Sequence, residues 1–127
     1  MAKESKRQRQ VAELVKRNFG TLLQQEGGYI YGTEALVTVT GVKMSPDLGI
    51  AKIYLSVYNI EDKQNVILEM EHNYVRLRQM LAGRLKRQLR RIPELSFFLD
   101  DTLDEMYRLN ALFDRLEDDQ QMGASES

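Results

Sequence analysis

The feature that most constrains the fold is a change of hydrophobic periodicity early in the chain. Residues 6–25 repeat apolar side chains at helical spacing, whereas residues 36–44 and 50–58 are rich in β-branched residues or alternate as strands do. The residues between those two runs, 45–49, read Ser-Pro-Asp-Leu-Gly, which is typical of a tight turn. The sequence therefore predicts a helix followed by an antiparallel hairpin. Gly27-Gly28 is expected to end the helix in the left-handed conformation that glycine permits.

The second half of the chain returns to helical spacing before one more short strand. Residues 61–91 carry a leucine stripe that contains Gly83, where glycine costs about 1 kcal/mol relative to alanine and indicates a kink or a helix junction. Pro93 is expected to end this helical run. Residues 95–99 read as a third strand and residues 100–116 as a last helix. The predicted order is that of an α+β chain, with one sheet that buries a single face under helices.

Length and composition favour one small domain. We place it at residues 1–117 of the 127 and expect the acidic end, residues 118–127, to be disordered. The absence of cysteine excludes disulfides, thiolate metal sites and cysteine nucleophiles, and is consistent with a cytoplasmic protein. There is neither a signal-peptide pattern nor an apolar run of the roughly 20 residues that a membrane helix needs. We expect no membrane contact, and a monomer, because nothing indicates an obligate dimer.

The net charge of −1 conceals a strong segregation of charge along the chain. Residues 3–17 hold six bases and two acids, and residues 72–93 hold seven bases and no acid. Residues 100–127 hold nine acids and two arginines. Such asymmetry indicates a surface that binds a polyanion, together with an acidic tail.

The basic stretches supply the candidate RNA-binding residues. Arginine suits RNA because its planar guanidinium grips phosphate oxygens in pairs and also stacks on bases. Arg84, Arg87 and Arg91 are spaced by three and four residues, so they are expected to share one outward helix face. The full set comprises Arg76, Arg78, Arg84, Lys86, Arg87, Arg90 and Arg91, with Lys6, Arg7 and Arg9 from the first helix. The alternative is that these bases pair with acids elsewhere in the chain.

Three aromatic residues of the predicted strands have two possible roles. Tyr54, Tyr58 and Phe98 could stack on unpaired bases, as aromatic side chains do in many single-strand binders. They could equally pack under the first or the last helix, and this packing is the role we expect.

Signals for catalysis are weak. The chain has no P-loop and no GxxG loop, and its one histidine, His72, is expected to be a surface residue, since a di-iron helix pair needs a second Glu-x-x-His motif. The cluster Asp100, Asp101, Asp104 and Glu105 could hold a divalent metal, but carboxylates also favour a helix N-terminus for dipole reasons alone. We expect a protein that is not an enzyme, with no catalytic residue, metal or cofactor.

Two segments resemble a known family. Residues 42–57, VKMSPDLGIAKIYLSV, and residues 84–103, which contain RIPELSFFLDDTL, look like signature stretches of the ribosome-binding factor A family. Residues 7–14, RQRQVAEL, are similar to that family's first helix, and the resemblance covers residues 6–117. It implies a type II KH-like domain, α-β-β-α-α-β, with a three-stranded mixed sheet plus a C-terminal helix, and no cofactor.

The resemblance also implies a function. Members of that family bind the free 30S small subunit and 16S rRNA, and assist late 30S maturation and the processing of 16S rRNA precursor near its 5′ end. The alternative that remains open is a non-catalytic protein-interaction module that docks a basic helix on an acidic protein partner. A metal-dependent hydrolase at Asp100–Glu105 is a third reading, which would require bound metal.

One part of the chain departs from the family pattern. The family typically has an Ala-x-Gly kink between two helices, which would fall near Tyr74-Val75-Arg76, where this sequence lacks it. Ala82-Gly83 lies nearby but out of register, so we expect the helix break at Gly83.

Overall fold

A computed structural model describes residues 4–100 of the chain. The elements in order are α1 (Lys6–Glu26), α2 (Gly28–Tyr31), β1 (Leu36–Met44), β2 (Ile50–Tyr58), α3 (Lys63–His72), α4 (Tyr74–Leu85) and β3 (Glu94–Leu99). The predicted last helix, the end of the domain at residue 117 and the acidic tail lie outside the described residues. None of the helices in the described range is both long and apolar enough to cross a membrane.

The three strands form one mixed sheet in the order β1-β2-β3. β1 pairs with β2 antiparallel, and β2 pairs with β3 parallel, with Ile50 opposite Glu94 and Leu55 opposite Leu99. A parallel pair requires a long crossover, which α3 and α4 supply. The sheet and the helices bury a common core that includes Phe19 of α1 stacked on Phe97 of β3, with ring centroids 5.7 Å apart. The α+β fold and the mixed sheet are thus as predicted.

Helix α1 is fixed at its start by two side chains of its first turn and cap. Ser5 and Gln8 form a reciprocal capping box, in which each side chain accepts a hydrogen bond from the other's backbone N–H. The amide of Gln8 also donates to the carbonyl oxygen of Met44 at 3.0 Å, in a buried position. The first turn of α1 is therefore attached to the end of β1.

The prediction of a left-handed conformation at Gly27 is wrong. Gly27 is right-handed, with φ −58°, and the chain continues into the short helix α2, whereas Gly32 has φ 94°. Glycine is needed at residue 27 for space, since a Cβ there would overlap the Tyr31 hydroxyl and the carbonyl oxygen of Leu23. A sequence pattern cannot distinguish these two reasons for glycine.

The break between the two crossover helices lies at Asn73, so the break expected at Gly83 is wrong. Asn73 has φ −104° and ψ 24°, and both its side-chain amide and its backbone N–H donate to the carbonyl oxygen of Glu69. Asn73 thereby satisfies the end of α3, while its own carbonyl accepts from Leu77 to begin α4. Gly83 lies within α4 at an exposed position.

Helix α4 ends at Leu85, well before Pro93, which corrects the helical run predicted to residue 91. The chain must reverse after α4 in order to place Glu94 beside Ile50 in the parallel pair. A helix to residue 91 would leave two residues for that reversal, too few to return to the sheet. The segment 86–93 makes the reversal and buries Leu89 in the core on the way.

Tyr74 holds the beginning of β3 from the first turn of α4. Its hydroxyl donates to the Glu94 carboxylate at 2.8 Å and accepts from the backbone N–H of Leu95 at 2.9 Å. Partial burial, together with the nearby Glu94 charge, raises the pKa of Tyr74 above its ordinary value, so the hydroxyl stays a donor. Its ring also meets Phe97 edge to face, with centroids 6.2 Å apart.

Arg78, one turn further along α4, holds the residues just before β3. Its guanidinium donates to the carbonyl oxygens of Ile92 at 2.7 Å and Pro93 at 3.0 Å, and lies 3.5 Å from the Glu94 carboxylate. The half-buried Arg78 therefore satisfies backbone acceptors that no strand or helix pairs. Tyr74 and Arg78 together are called the β3 clamp below.

We predict that Arg78→Met lowers the free energy of unfolding by about 1–3 kcal/mol, because two charge-assisted hydrogen bonds to the backbone are lost. Arg76→Met is the matched control, since its exposed contact with Glu26 at 3.5 Å is an ordinary surface ion pair that contributes about 1 kcal/mol or less. Urea unfolding of both variants measures the difference. Equal losses would contradict a structural role for Arg78.

The turn between β1 and β2 is closed by a small polar network. One Asp47 carboxylate oxygen accepts from the Ser45 hydroxyl at 2.7 Å and from the Gly49 N–H at 2.9 Å, while Ser45 Oγ accepts from the Ile50 N–H at 2.9 Å. These two hydrogen bonds to the carboxylate, helped by the nearby guanidinium of Arg91, hold the pKa of Asp47 below its usual range. The carbonyl of Gly49 then accepts from Glu94 at 2.8 Å, which joins the turn to β3.

We predict that Asp47→Asn destabilises the protein at neutral pH and makes no difference in strong acid. The folded pKa is lowered, so the charged form stabilises the fold above the ordinary aspartate pKa of about 4, and this contribution is lost as the pH falls through the folded value. Urea midpoints at a series of pH values measure the effect. Glu61→Gln removes the same charge from an exposed loop position and serves as the control. A difference between Asp47→Asn and the wild type that did not change with pH would contradict the prediction.

Candidate nucleic-acid interface

A cleft of about 380 Å³ lies where the start of α1, the β1–β2 turn and the segment after α4 meet. Its rim carries three exposed arginines, Arg7 from α1 and Arg90 and Arg91 from the segment after α4. Val11 and Leu89 form an apolar floor. The fold thus brings together bases from the two basic stretches, which are far apart in the sequence.

The β1–β2 turn forms the wall of the cleft that α1 and the segment after α4 do not form. We call this cleft the arginine cleft. Leu48 adopts φ 61°, a left-handed conformation that costs a non-glycine residue about 1–2 kcal/mol. Its half-buried side chain lines the cleft. The guanidinium of Arg91 lies close to the turn, where a Cβ at Gly49 would come within 2.9 Å of it. The residue at position 49 must therefore be small if Arg91 is to keep this position.

The charges around the arginine cleft are unbalanced. Among the described residues that line it, Asp47 is the single acid against three arginines, and its carboxylate is already engaged in the turn. Arg7 and Arg90 have no ion-pair partner within the described range of the chain. Uncompensated bases around a concave surface raise the local positive potential and attract an anion.

The bases at the start of α1 are unfavourable for the helix itself. Lys6, Arg7 and Arg9 are exposed in or next to its first turn, which contains no acid. The N-terminus of a helix carries a partial positive charge, so cations there are destabilising. Arg9 donates to the carbonyl of Glu4 at 2.9 Å, a local contact. The stability of α1 therefore does not explain why these bases lie at its start.

The remaining candidate bases fall into two groups, those that contact other parts of the chain and those that are exposed in the turn after α4. Arg78 belongs to the β3 clamp, and Arg76 contacts Glu26 on α1. Arg84 lies on α4 and donates to the side chain of Asn18 at 3.3 Å. Lys86 and Arg87 are exposed in the turn that follows α4. The helix face predicted for Arg84, Arg87 and Arg91 does not exist, because α4 ends between the first and the second of them.

The structure excludes the first of the two helices under which the aromatic residues of the strands were expected to pack. Tyr54 and Phe98 lie on the sheet face opposite the buried Ile53 and Phe97, and so do not pack under α1. The amino group of Lys63 lies 5.9 Å from the centre of the Tyr58 ring. Packing of these residues under the predicted last helix concerns a segment outside the described residues.

Among the described residues, no metal or histidine candidate lines the arginine cleft. The described residues contain no group of three or more side chains that could hold a metal ion. Asp101, Asp104 and Glu105 lie outside the described range, and Asp100 accepts a hydrogen bond from Thr40 at 2.6 Å. His72 is exposed at the end of α3, as predicted, and its Nδ1 lies 4.0 Å from a carboxylate oxygen of Glu69.

Five residues that line the cleft were not anticipated from the sequence as site residues: Val11, Asp47, Leu48, Gln88 and Leu89. Asp47 and Leu48 were assigned to the turn between the strands, where Asp47 was expected to favour the bend. Leu89 belonged to the predicted leucine stripe, which assigned it to the core without indicating that it also forms the cleft floor. The three arginines lie in the two basic stretches that composition singles out, residues 3–17 for Arg7 and residues 72–93 for Arg90 and Arg91.

Comparisons of the sequence with known proteins agree with one another. The sequence model of the family described as "Ribosome-binding factor A" matches residues 7–113. The protein of that name from Cytophaga hutchinsonii is 39% identical over 101 residues, which cover 80% of this chain and 75% of the relative. The one from Chlorobium limicola is 36% identical over 107 residues, covering 84% and 87% respectively.

Solved structures of the same family share the fold. The crystal structure of ribosome-binding factor A from Thermus thermophilus matches with a TM-score of 0.59 at 23% identity, covering 72% of this chain and 94% of that one. A Thermus thermophilus homology model fitted into a cryo-electron-microscopy map of a 30S–ribosome-binding factor A complex gives a TM-score of 0.56 at 24% identity, covering 70% and 90%. The structural likeness confirms the KH-like α+β fold. From the matched length and the identity to its relatives, the chain belongs to the ribosome-binding factor A family.

Proposed function

We propose that this chain is a non-catalytic assembly factor that binds 16S rRNA on the free 30S subunit through the arginine cleft. The observation that carries the proposal is the convergence of Arg7, Arg90 and Arg91 on one concave surface with a single, already engaged acid among the described lining residues. A related protein of this family has been fitted into a map of its complex with 30S, which supports the choice of partner.

The mechanism follows from the chemistry of arginine and phosphate. Each guanidinium offers a planar pair of donors to phosphate oxygens, and each contact releases counterions from the RNA. A factor that binds one local rRNA conformation more tightly than the alternative conformations increases the population of the conformation that it binds. Maturation, including processing of the 16S precursor near its 5′ end, would then proceed from the conformation that the protein holds. No bond is made or broken by the protein.

We predict that Arg7→Gln, Arg90→Gln and Arg91→Gln together weaken binding to free 30S subunits and lower its salt dependence. Each phosphate contact contributes about 0.7–0.9 to the slope of log affinity against log salt, so the slope should fall by about 2–3. Co-sedimentation with purified subunits over a series of potassium chloride concentrations measures both quantities. Far-ultraviolet circular dichroism should show that the variant remains folded.

The control removes the same charge from other surfaces. Lys16→Gln, Arg17→Gln and Arg76→Gln together change three bases that do not line the arginine cleft. Their salt slope should remain close to that of the wild type. If both triple variants lost the same affinity, net charge and not the cleft would determine binding, and the proposal would be wrong.

The docking of a basic surface on an acidic protein partner is the alternative proposal, which the apolar floor of Val11 and Leu89 favours. Capture of partners from lysate with and without nuclease separates the two. A partner that disappears after nuclease treatment supports rRNA, whereas one that persists supports a protein.

A further inference from the structure

The face of the sheet opposite the core carries a set of side chains that the arginine cleft does not use. Lys43 of β1 lies directly opposite Lys52 of β2, and Tyr54 of β2 lies opposite Phe98 of β3. Lys52 and Tyr54 are two residues apart on one strand, so all four side chains share a face and successive positions are roughly 7 Å apart. These four residues are called the outer face below.

The aromatic pair on the outer face is an incomplete stack. The rings of Tyr54 and Phe98 stack with centroids 5.4 Å apart and an interplanar angle of 25°. Phe98 nevertheless remains 41% exposed, on β3 at the edge of the described sheet. A further flat ring placed against Phe98 would extend the stack and remove apolar surface from water.

The two lysines of the outer face place like charges directly opposite one another. Like charges directly opposite one another on neighbouring strands repel. Within the described residues neither Lys43 nor Lys52 has an acidic partner or a side-chain hydrogen bond, and Ser96 is the neighbour of Lys52 on β3. The acid Asp100 accepts a hydrogen bond from Thr40. An anion between the two lysines would remove the repulsion.

We propose that the outer face binds one or two unpaired nucleotides of RNA, with a base stacked on Phe98 and a backbone phosphate between Lys43 and Lys52. This inference rests on the proposed function and adds to it a class of ligand, single-stranded RNA, and a second contact surface. Aromatic stacking combined with lysine contacts is how many sheet surfaces hold single strands without reading their sequence. The chain lacks the GxxG loop with which KH domains clamp single strands, and the outer face would supply another way to hold one.

The test uses the full chain and an eight-nucleotide single-stranded RNA that contains one 2-aminopurine, whose fluorescence is quenched when it stacks. Phe98→Leu removes the ring but keeps an apolar side chain. It should weaken binding between about fivefold and a hundredfold and abolish the quench. Phe98→Tyr keeps the ring and should behave like the wild type. The control Tyr29→Leu removes an aromatic ring that is 78% exposed on α2, and should change neither quantity.

The lysines have a separate readout. Lys43→Gln with Lys52→Gln should lower the salt slope of binding by about 0.7–1.4, since one or two phosphate contacts to a single strand are lost. The quench at saturating RNA should remain, because the stack is intact. Lys16→Gln with Arg17→Gln removes two charges elsewhere and should leave the slope close to that of the wild type.

The outcomes separate this inference from the proposed function. If Phe98→Leu keeps both affinity and quench, the outer face is not a stacking surface, even when the arginine-cleft variants lose 30S binding. A variant with a lower melting temperature and unchanged RNA affinity would assign Phe98 to packing within the protein, which also overturns the proposal. Failure of the wild type to co-sediment with 30S subunits would instead reject the proposed function.

Discussion

The parallel pairing of β3 with β2 is the constraint on which the rest of the structure depends. An antiparallel hairpin forms locally, but a parallel strand must be brought back over a long crossover and held there. Here α4 holds it through the β3 clamp, and the carbonyl of Gly49 accepts from Glu94 at the point where the pair begins. The same reversal places Arg90 and Arg91 beside the β1–β2 turn and the start of α1. The cleft is therefore a by-product of how the sheet is completed.

The arginines of this protein have two different physical roles. Arg78 has its guanidinium bound to backbone carbonyls, whereas Arg7 and Arg90 are exposed around a concave surface with little opposing charge. Both kinds lie in the basic stretches that composition marks for RNA binding. What distinguishes them is whether backbone acceptors lie within reach after folding. That distinction depends on the tertiary structure, since the carbonyls that Arg78 satisfies lie fourteen and fifteen residues away.

The strands were predictable from the sequence and the helix ends were not. The bounds of β1 and β2 agree with the prediction, because β-branched alternation and a proline-containing turn are local signals. The helix break at Asn73 and the end of α4 at Leu85 were missed, since both are determined by where the chain must turn to reach the sheet. The basic surface was predictable from composition. Its shape was not, because the expected row of arginines on a single helix is in fact a cleft between three segments.

The anchoring of α1 through Gln8 has a consequence for when the protein can act. The arginine cleft needs Arg7, which Gln8 fixes to the end of β1, and also Arg90 and Arg91, which lie near the other end of the described chain. A chain still being synthesised presents the first of these bases long before the others, and long-range contacts of this kind form late in folding. An unfinished copy therefore lacks the complete arginine cleft. Under the proposed function, the order of synthesis keeps incomplete chains from occupying the site of a complete one.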